Sequence, residues 1–240
     1  MPDPVLTSWR PRQRSAAAAV RGVSLLLHGG RADDTRPVER QHASWWRMAL
    51  LGRTLARATV PQGVAVELLR YRARGWNDGP GAEPGPVLDG RWALRAVRER
   101  YGDVPVVLVG HSMGGRGACA LADADGVTGV VALAPWLTAG EPVRPARRQR
   151  LVIAHGLADR WTSPGGSLEW ARRARSVGAR VARYEMGAVG HFMLTDAGQW
   201  NGLVRDATLG LLGVAPLPAE MAQALQSPAG DAGLRLNPTW

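Results

Sequence analysis

The sequence predicts an α/β fold: a mostly parallel central sheet covered by helices on both faces. Three observations point there. Short continuous apolar runs recur along the chain, as in Val64–Arg70 and Val127–Leu133, which is how strands buried on both faces read. Stretches of helical period alternate with them. One run, Val104–Gly110, passes through a glycine-rich turn directly into a helical pattern.

In chain order, residues 1–20 read as an irregular leader. Val23–Leu27 is a short buried strand that runs into the turn His28-Gly29-Gly30-Arg31. A helix is expected from Pro37 to Ala58, with Trp45, Trp46, Ala49 and Leu50 on its apolar side. Val64–Arg70 is the next strand. Asp78–Gly85 is rich in Gly and Pro and reads as a loop. The following helix, Val87–Arg100, starts near Leu88 or Asp89, packs through Trp92, Ala93, Ala96 and Val97, and carries arginines in its last turn, as the helix dipole favours. Val104–Gly110 is a strand, with a helix from Gly114 to Asp123. Val127–Leu133 is a strand ending at Ala134-Pro135-Trp136.

A short Pro- and Arg-rich connection leads to the strand Leu151–Ala154, too short to hold a large lid domain. Ser163-Pro164 forms an N-cap and first-turn pair for a helix reaching Ser176. Arg180–Glu185 is the last strand. The final long helix starts near Thr195 or Asp196, and Trp200, Leu203, Val204, Ala207 and Leu211 give it one apolar face before the stop at Gly213. The expected division is a leader (1–20), one domain (21–213) and a C-terminal tail (214–240). The tail holds a short helix near Ala219–Gln226 and is either docked or disordered.

Composition narrows the class. A chain of 240 residues with 45% hydrophobic and 21% charged residues fits one globular domain. The single cysteine, Cys119, excludes an internal disulfide framework, and its small apolar neighbours suggest buried packing. No zinc-ligand spacing is present, so no metal or organic cofactor is expected. The apolar run Ala16–Val20 behind Arg10, Arg12 and Arg14 is too short for a secretory signal or a membrane span. The expectation is a soluble, cytoplasmic protein that is not bound to a membrane. The net charge of +10 comes wholly from arginine, because the chain has no lysine. The arginines scatter over polar helix sides. A solvated face therefore accounts for them better than a nucleic-acid surface, although a basic rim could attract anionic substrates.

The chemistry begins at Gly110-His111-Ser112-Met113-Gly114-Gly115. A serine between small residues, at a sharp turn from strand to helix, is pushed out where the helix N-terminus offers free N–H groups. Two further polar residues follow predicted strands: Asp159 in His155-Gly156-Leu157-Ala158-Asp159, and His191 in Gly190-His191. Ligands of open parallel sheets bind at the carboxyl ends of strands, so Ser112, Asp159 and His191 are expected on one rim.

In this order, serine then aspartate then histidine, the sequence resembles the α/β-hydrolase superfamily over residues 23–213. It is most similar to the small lidless esterases, of the carboxylesterase-like and dienelactone-hydrolase-like branches. The latter branch often carries a cysteine nucleophile where this chain has Ser112. The resemblance implies a serine esterase for small-molecule esters or thioesters. Ser112 would be the nucleophile, His191 the base and acid, and Asp159 the orienting carboxylate. The backbone N–H groups of Met113 and Gly30 would form the oxyanion hole, with Arg31 as the alternative donor. Asp159 could instead cap a helix, with Glu185 and Asp196 as fallback carboxylates. His28, His111 and His155 read as structural, and His42 as surface or pocket wall. Arg31, Trp136, Trp161 and Phe192 are candidate pocket residues, with Trp45, Trp46 and Trp76 nearby and ordinary packing as the alternative for each tryptophan. The same triad would serve an acyltransferase, amidase or peptidase, and the fold also occurs as a non-catalytic receptor or scaffold. The oligomeric state is not legible.

Overall fold

The computed structural model describes residues 2–11, 20–77, 83–144, 149–227 and 230–240. Seven strands form one sheet: β1 (Val5–Trp9), β2 (Gly22–Leu27), β3 (Val64–Arg70), β4 (Val106–His111), β5 (Val127–Leu133), β6 (Arg150–His155) and β7 (Arg180–Glu185). Their spatial order is β1-β3-β2-β4-β5-β6-β7. All neighbours run parallel except β1, which pairs antiparallel with β3. Among the described residues six α-helices accompany the sheet: α1 (Ala43–Thr59), α2 (Gly85–Tyr101), α3 (Met113–Ala120), α4 (Pro164–Ser176), α5 (Ala197–Leu211) and α6 (Ala219–Gln226). The central strands β2 and β4 are buried at every residue, which is why they carry no polar alternation.

Both faces are covered. A side chain at Gly52 of α1 would meet Leu26, and one at Gly117 of α3 would approach Leu27. Consecutive strand residues point to opposite faces, so α1 and α3 lie on opposite sides. Helix α5 packs beside α1, α2 beside α3, and α4 against β6 and β7. The β5–β6 connection, residues 134–149, contains no helix among its described residues.

Every strand and helix expected beyond residue 20 is present; β3, β5, β7, α4 and α6 keep their expected bounds and the others shift at one or both ends. Four readings need correction. The leader is not irregular throughout: Val5–Trp9 is strand β1, held to β3 by its ladder and by Ser8 Oγ donating to Glu67 Oε2 at 2.6 Å. The first helix starts at Ala43, not Pro37, because Pro37 instead bridges to Ala73 in the neighbouring loop. Its buried side runs through Trp45, Met48, Ala49 and Leu55, whereas Trp46 and Leu50 are exposed. The second helix starts at Gly85 rather than near Leu88. Most of the loop expected at Asp78–Gly85, and residues 12–19 of the leader, lie outside the described residues.

The tail is docked where it is described. Leu236 bridges to Tyr184 beside β7, and the buried Arg183 donates to Leu234 O as well as to Glu185. Trp240 Nε1 donates to Asp206 at 2.7 Å. Arg175, also buried, donates to the carbonyls of Gly230 and Ala232. Two buried guanidiniums thus depend on tail carbonyls, and a buried charge without partners costs several kcal/mol.

Candidate active site

Strand β4 ends in a turn that only small residues can make. Ser112 has φ 56° and ψ −118°, a conformation that side-chain-bearing residues rarely adopt. A Cβ at Gly110 would lie 2.1 Å from Gly114 O, and one at Gly114 would lie 2.1 Å from Leu27 O. Both glycines of the motif are therefore steric requirements. Around the serine, its N–H donates to Leu133 O, while its carbonyl accepts from the N–H groups of Arg116 and Trp136. These bonds hold the strained residue in place. Its Oγ forms no hydrogen bond among the described residues and faces an open groove of about 800 Å³.

His191 lies in the loop after β7 and lines the same groove. Its Nδ1 donates to Asp159 Oδ2 at 2.7 Å, which fixes the tautomer and leaves Nε2 as the free base nitrogen. The structure thus brings His191 and Asp159 into direct contact and puts His191 and Ser112 on one groove, with no hydrogen bond between those two. Asp159 is buried and combines the two roles read from sequence. Its Oδ1 caps the turn by accepting from the N–H groups of Trp161 and Thr162, at 2.7 and 3.0 Å. Burial alone would raise its pKa. Hydrogen bonds from His155 and His191 and from the Thr162 and Trp161 backbone outweigh burial and hold the carboxyl well below the usual carboxylate range. The fallback acids are engaged elsewhere: Glu185 pairs with Arg183 and Arg235, and Asp196 is the N-terminal flanking residue of α5.

Three residues of this network were not singled out from sequence. Thr162 Oγ lies 2.8 Å from Asp159 Oδ2 and 3.2 Å from each of His191 Nδ1, His155 Nε2 and Ala134 O. Its position three residues after the aspartate was the available signal. Arg47 of α1 donates to Phe192 O and Met193 O at 2.7 and 2.6 Å, pinning the histidine loop to the helix. Burial lowers its pKa. No local pattern announces that contact, because 145 residues separate the partners. Arg74 lines the groove beside Arg31.

The other histidines are held by the framework. His28 Nδ1 donates to Gly29 O, and its Nε2 accepts from Tyr71 N–H. His111 Nε2 donates to His191 O at 2.9 Å. Burial depresses these two, to about 4 for His28 and about 3 for His111, so both are neutral. His155 is more than structural: its Nε2 faces Asp159 Oδ2 at 3.3 Å while Nδ1 meets Ser167 Oγ at 2.9 Å. Burial lowers its pKa too, with Asp159 opposing. His42 flanks the start of α1 and lines the groove.

The N–H groups of Met113 and Gly30 have no acceptor among the described residues. Arg31 does not qualify as the alternative donor, because its N–H is already spent on Arg74 O at 2.8 Å. Gly30 cannot be larger, since a Cβ would lie 2.3 Å from Arg74 O. Arg31, Trp136, Trp161 and Phe192 all line the groove. Trp161 is 73% exposed and stacks over the His191 ring at 6.3 Å, with Phe192 against its edge. Trp45 belongs to the core and Trp46 is exposed, away from the groove lining. Trp76 packs edge-on behind Trp136, and the Arg116 guanidinium lies over both rings. Cys119 is buried, which pushes its thiol pKa up. Among the described residues, no cluster of three or more His, Cys, Asp or Glu has a geometry that could hold a metal ion. No described helix is long and apolar enough to cross a membrane.

A family model described as alpha/beta hydrolase fold matches residues 24–219. The chain belongs to the alpha/beta hydrolase family. Solved structures of similar fold include a lidless a/b serine hydrolase from Xanthomonas campestris, 18% identical, with a TM-score of 0.60 over 90% of each chain. Esterase 2 of Thermogutta terrifontis in its apo form is 17% identical, with a TM-score of 0.64 over 89% of this chain and 92% of that one. Est1E from Butyrivibrio proteoclasticus is 10% identical, with a TM-score of 0.60 over 88% and 95%. No curated protein matches the chain by sequence.

Proposed function

We propose that this chain is a serine esterase that cleaves a carboxylic ester or thioester through an acyl-enzyme. One observation carries the reading: Ser112, strained at a strand-to-helix turn, shares a groove with His191, whose Nδ1–H is bound to an ionised Asp159. Ser112 Oγ attacks the carbonyl carbon while its proton passes to His191 Nε2. The imidazolium that forms is stabilised by Asp159. The oxygen of the tetrahedral intermediate takes the free N–H groups of Met113 and Gly30, each worth about a hundredfold in rate. His191 then protonates the leaving alcohol or thiol. Water, activated by the same histidine, attacks the acyl-enzyme, and Ser112 recovers its proton as the acid departs.

The groove is open enough to admit the water that hydrolysis needs, while His191 itself is buried beneath Trp161. Trp136, Trp161 and Phe192 supply its apolar wall. The Thermogutta terrifontis enzyme is known phosphonylated by cyclosarin and with butyrate bound, which suggests the probes. Wild type should label with a fluorophosphonate and hydrolyse short p-nitrophenyl esters, and Ser112→Ala should do neither. A folded wild type that neither labels nor turns over would return the chain to the receptor or scaffold reading.

A further inference from the structure

The groove at Ser112 is unevenly charged. Three arginines line it, Arg31, Arg47 and Arg74, against one aspartate, Asp33. Arg47 is already committed to two backbone carbonyls of the histidine loop. Arg31 and Arg74 both face Asp34, but that carboxylate is taken. Arg36 binds both of its oxygens through Nε and Nη2, at 3.0 and 2.9 Å, and adds its backbone N–H at 3.0 Å. Arg74 Nη1 is left 3.5 Å and Arg31 Nε 3.8 Å from Oδ2, beyond good hydrogen-bond distance. Neither side chain forms another hydrogen bond among the described residues. One carboxylate is thus shared among three guanidiniums, and even with Asp33 counted the lip keeps a net positive charge.

The backbone beneath these side chains is locked. Arg31 N–H donates to Arg74 O, Trp76 N–H to Arg31 O, Gly75 N–H to Asp34 O and Arg74 N–H to Arg36 O, all within 2.8–3.0 Å. A Cβ at Gly75 would lie 2.2 Å from Asp34 N, so the two loops touch without a gap. Gly30 sits in the same seam, next to Arg31 in sequence and against Arg74 O. Both guanidiniums therefore spring from residues that adjoin Gly30, and both remain reachable, at 62% and 21% side-chain exposure.

We infer that Arg31 and Arg74 form an anion subsite beside Gly30, and that the preferred substrates are esters or thioesters bearing a carboxylate or phosphate. This rests on the esterase reading. A planar guanidinium fork matches either oxyanion, and a rigid cationic lip also concentrates anionic substrates from solution.

Two matched ester pairs test it. Mono-p-nitrophenyl glutarate against p-nitrophenyl pentanoate places the anion on the acyl side. The butyryl ester of 4-hydroxybenzoate against that of its methyl ester places it on the leaving group. In at least one pair the anionic member should have a kcat/KM about tenfold higher at low salt. That preference should fade with added NaCl, disappear in Arg31→Gln/Arg74→Gln and reverse in Arg31→Glu. A wild type that hydrolyses neutral esters with no anionic preference in either pair overturns the subsite and leaves the esterase reading standing. So does a preference that survives in the double variant. Should no ester turn over, titration of glutarate and of inorganic phosphate into Ser112→Ala still decides. Binding weakened about tenfold by the two substitutions supports the subsite, and binding that is absent or unchanged sinks it. Thermal melts check folding, Arg36 keeps Asp34 paired, and Arg31→Gln alone replaces the double variant if that one unfolds.

Discussion

The two ends of the sheet solve the same geometric problem with a different balance of residues. Chain direction reverses at both ends, and both require residues at positive φ. Where strands begin, glycine meets the requirement: Gly63 before β3, Gly102 before β4, Gly126 before β5 and Gly178 before β7. Where strands end, side-chain-bearing residues carry most of it: Asn77 after β3, Ser112 after β4, Ala134 after β5, and Met193 and Asp196 after β7, with Gly140 after β5 and Gly187 after β7 beside them. The polar chemistry divides in the same way. All five histidines of the chain lie at or beyond the strand ends. The cavity at the other end, about 620 Å³ between Arg91, Arg95, Arg98, Asp103 and Asp125, contains none. Cavity size does not separate the two ends, but backbone strain and the histidines do. Strain is kept where a side chain must be aimed, and glycine removes it where nothing needs aiming.

Replacing Ser112 with glycine breaks the contrast most sharply. Turnover should fall by about 10⁶, the scale on which nucleophile loss is felt in such triads. Stability should rise by about 1 kcal/mol as the strained φ becomes permitted, net of the entropy glycine costs. Ester hydrolysis and urea denaturation of one preparation read both, and a variant destabilised by more than 1 kcal/mol would mean that the turn stores no strain. Next in size is Asp159→Asn. An amide cannot hold the His191 tautomer as a carboxylate does, so kcat should drop about 10⁴-fold. If Asp159 were only a turn cap, stability would change while kcat held.

Acid should attack the strand-end side first. His28 and His111 are buried and neutral, with pKa values of about 4 and about 3. In the unfolded chain both titrate near ~6.5. Between those values the unfolded state binds protons that the folded state refuses, so stability falls as pH drops from about 6.5 towards 4. Each histidine contributes on the order of 1 kcal/mol per pH unit. His155, lowered by burial, acts in the same direction. Asp159 behaves differently: its depressed carboxyl stabilises the fold at every pH above about 4 and loses that contribution only below. Urea midpoints at pH 7, 6 and 5 should decline, and His28→Gln should flatten the decline. A flat wild-type profile would mean these rings are protonated within the fold.

The fold was legible wherever one physical signal dominated. Strands buried on both faces are continuous apolar runs, and β3, β5 and β7 begin and end where their sequence does. Helix α4 is announced by Ser163, whose Oγ accepts from Gly166 N–H. Strand β1 escaped because an edge strand with four half-buried residues and one exposed one needs no apolar run, and its partner Glu67 is distant in sequence. The early start given to α1 failed because Pro37 serves a loop seam that only tertiary contact defines. At the site, residue order pointed to Ser112, Asp159 and His191. Arg47 came from packing between distant segments, which leaves no spacing to read, whereas Thr162 and His155 lie three residues after and four before Asp159, a spacing that shows its role only once the turn is folded.

The smallest expected effect closes the comparison from the other end. Gly102 has φ 76° and ψ −159°, and a Cβ there would meet nothing within 4 Å. The cost of Gly102→Ala is therefore backbone strain alone, about 2 kcal/mol. Because the residue precedes β4 at the far end from the groove, kcat and KM should not change. Ser112 carries a comparable backbone penalty at the other end of the same strand, and there the residue lines the groove. If Gly102→Ala costs stability without activity while Ser112→Gly does the reverse, strain in this molecule follows chemistry. If alanine is tolerated at 102 without loss, glycine at the strand starts reflects composition, and the asymmetry between the two ends rests on the histidines alone.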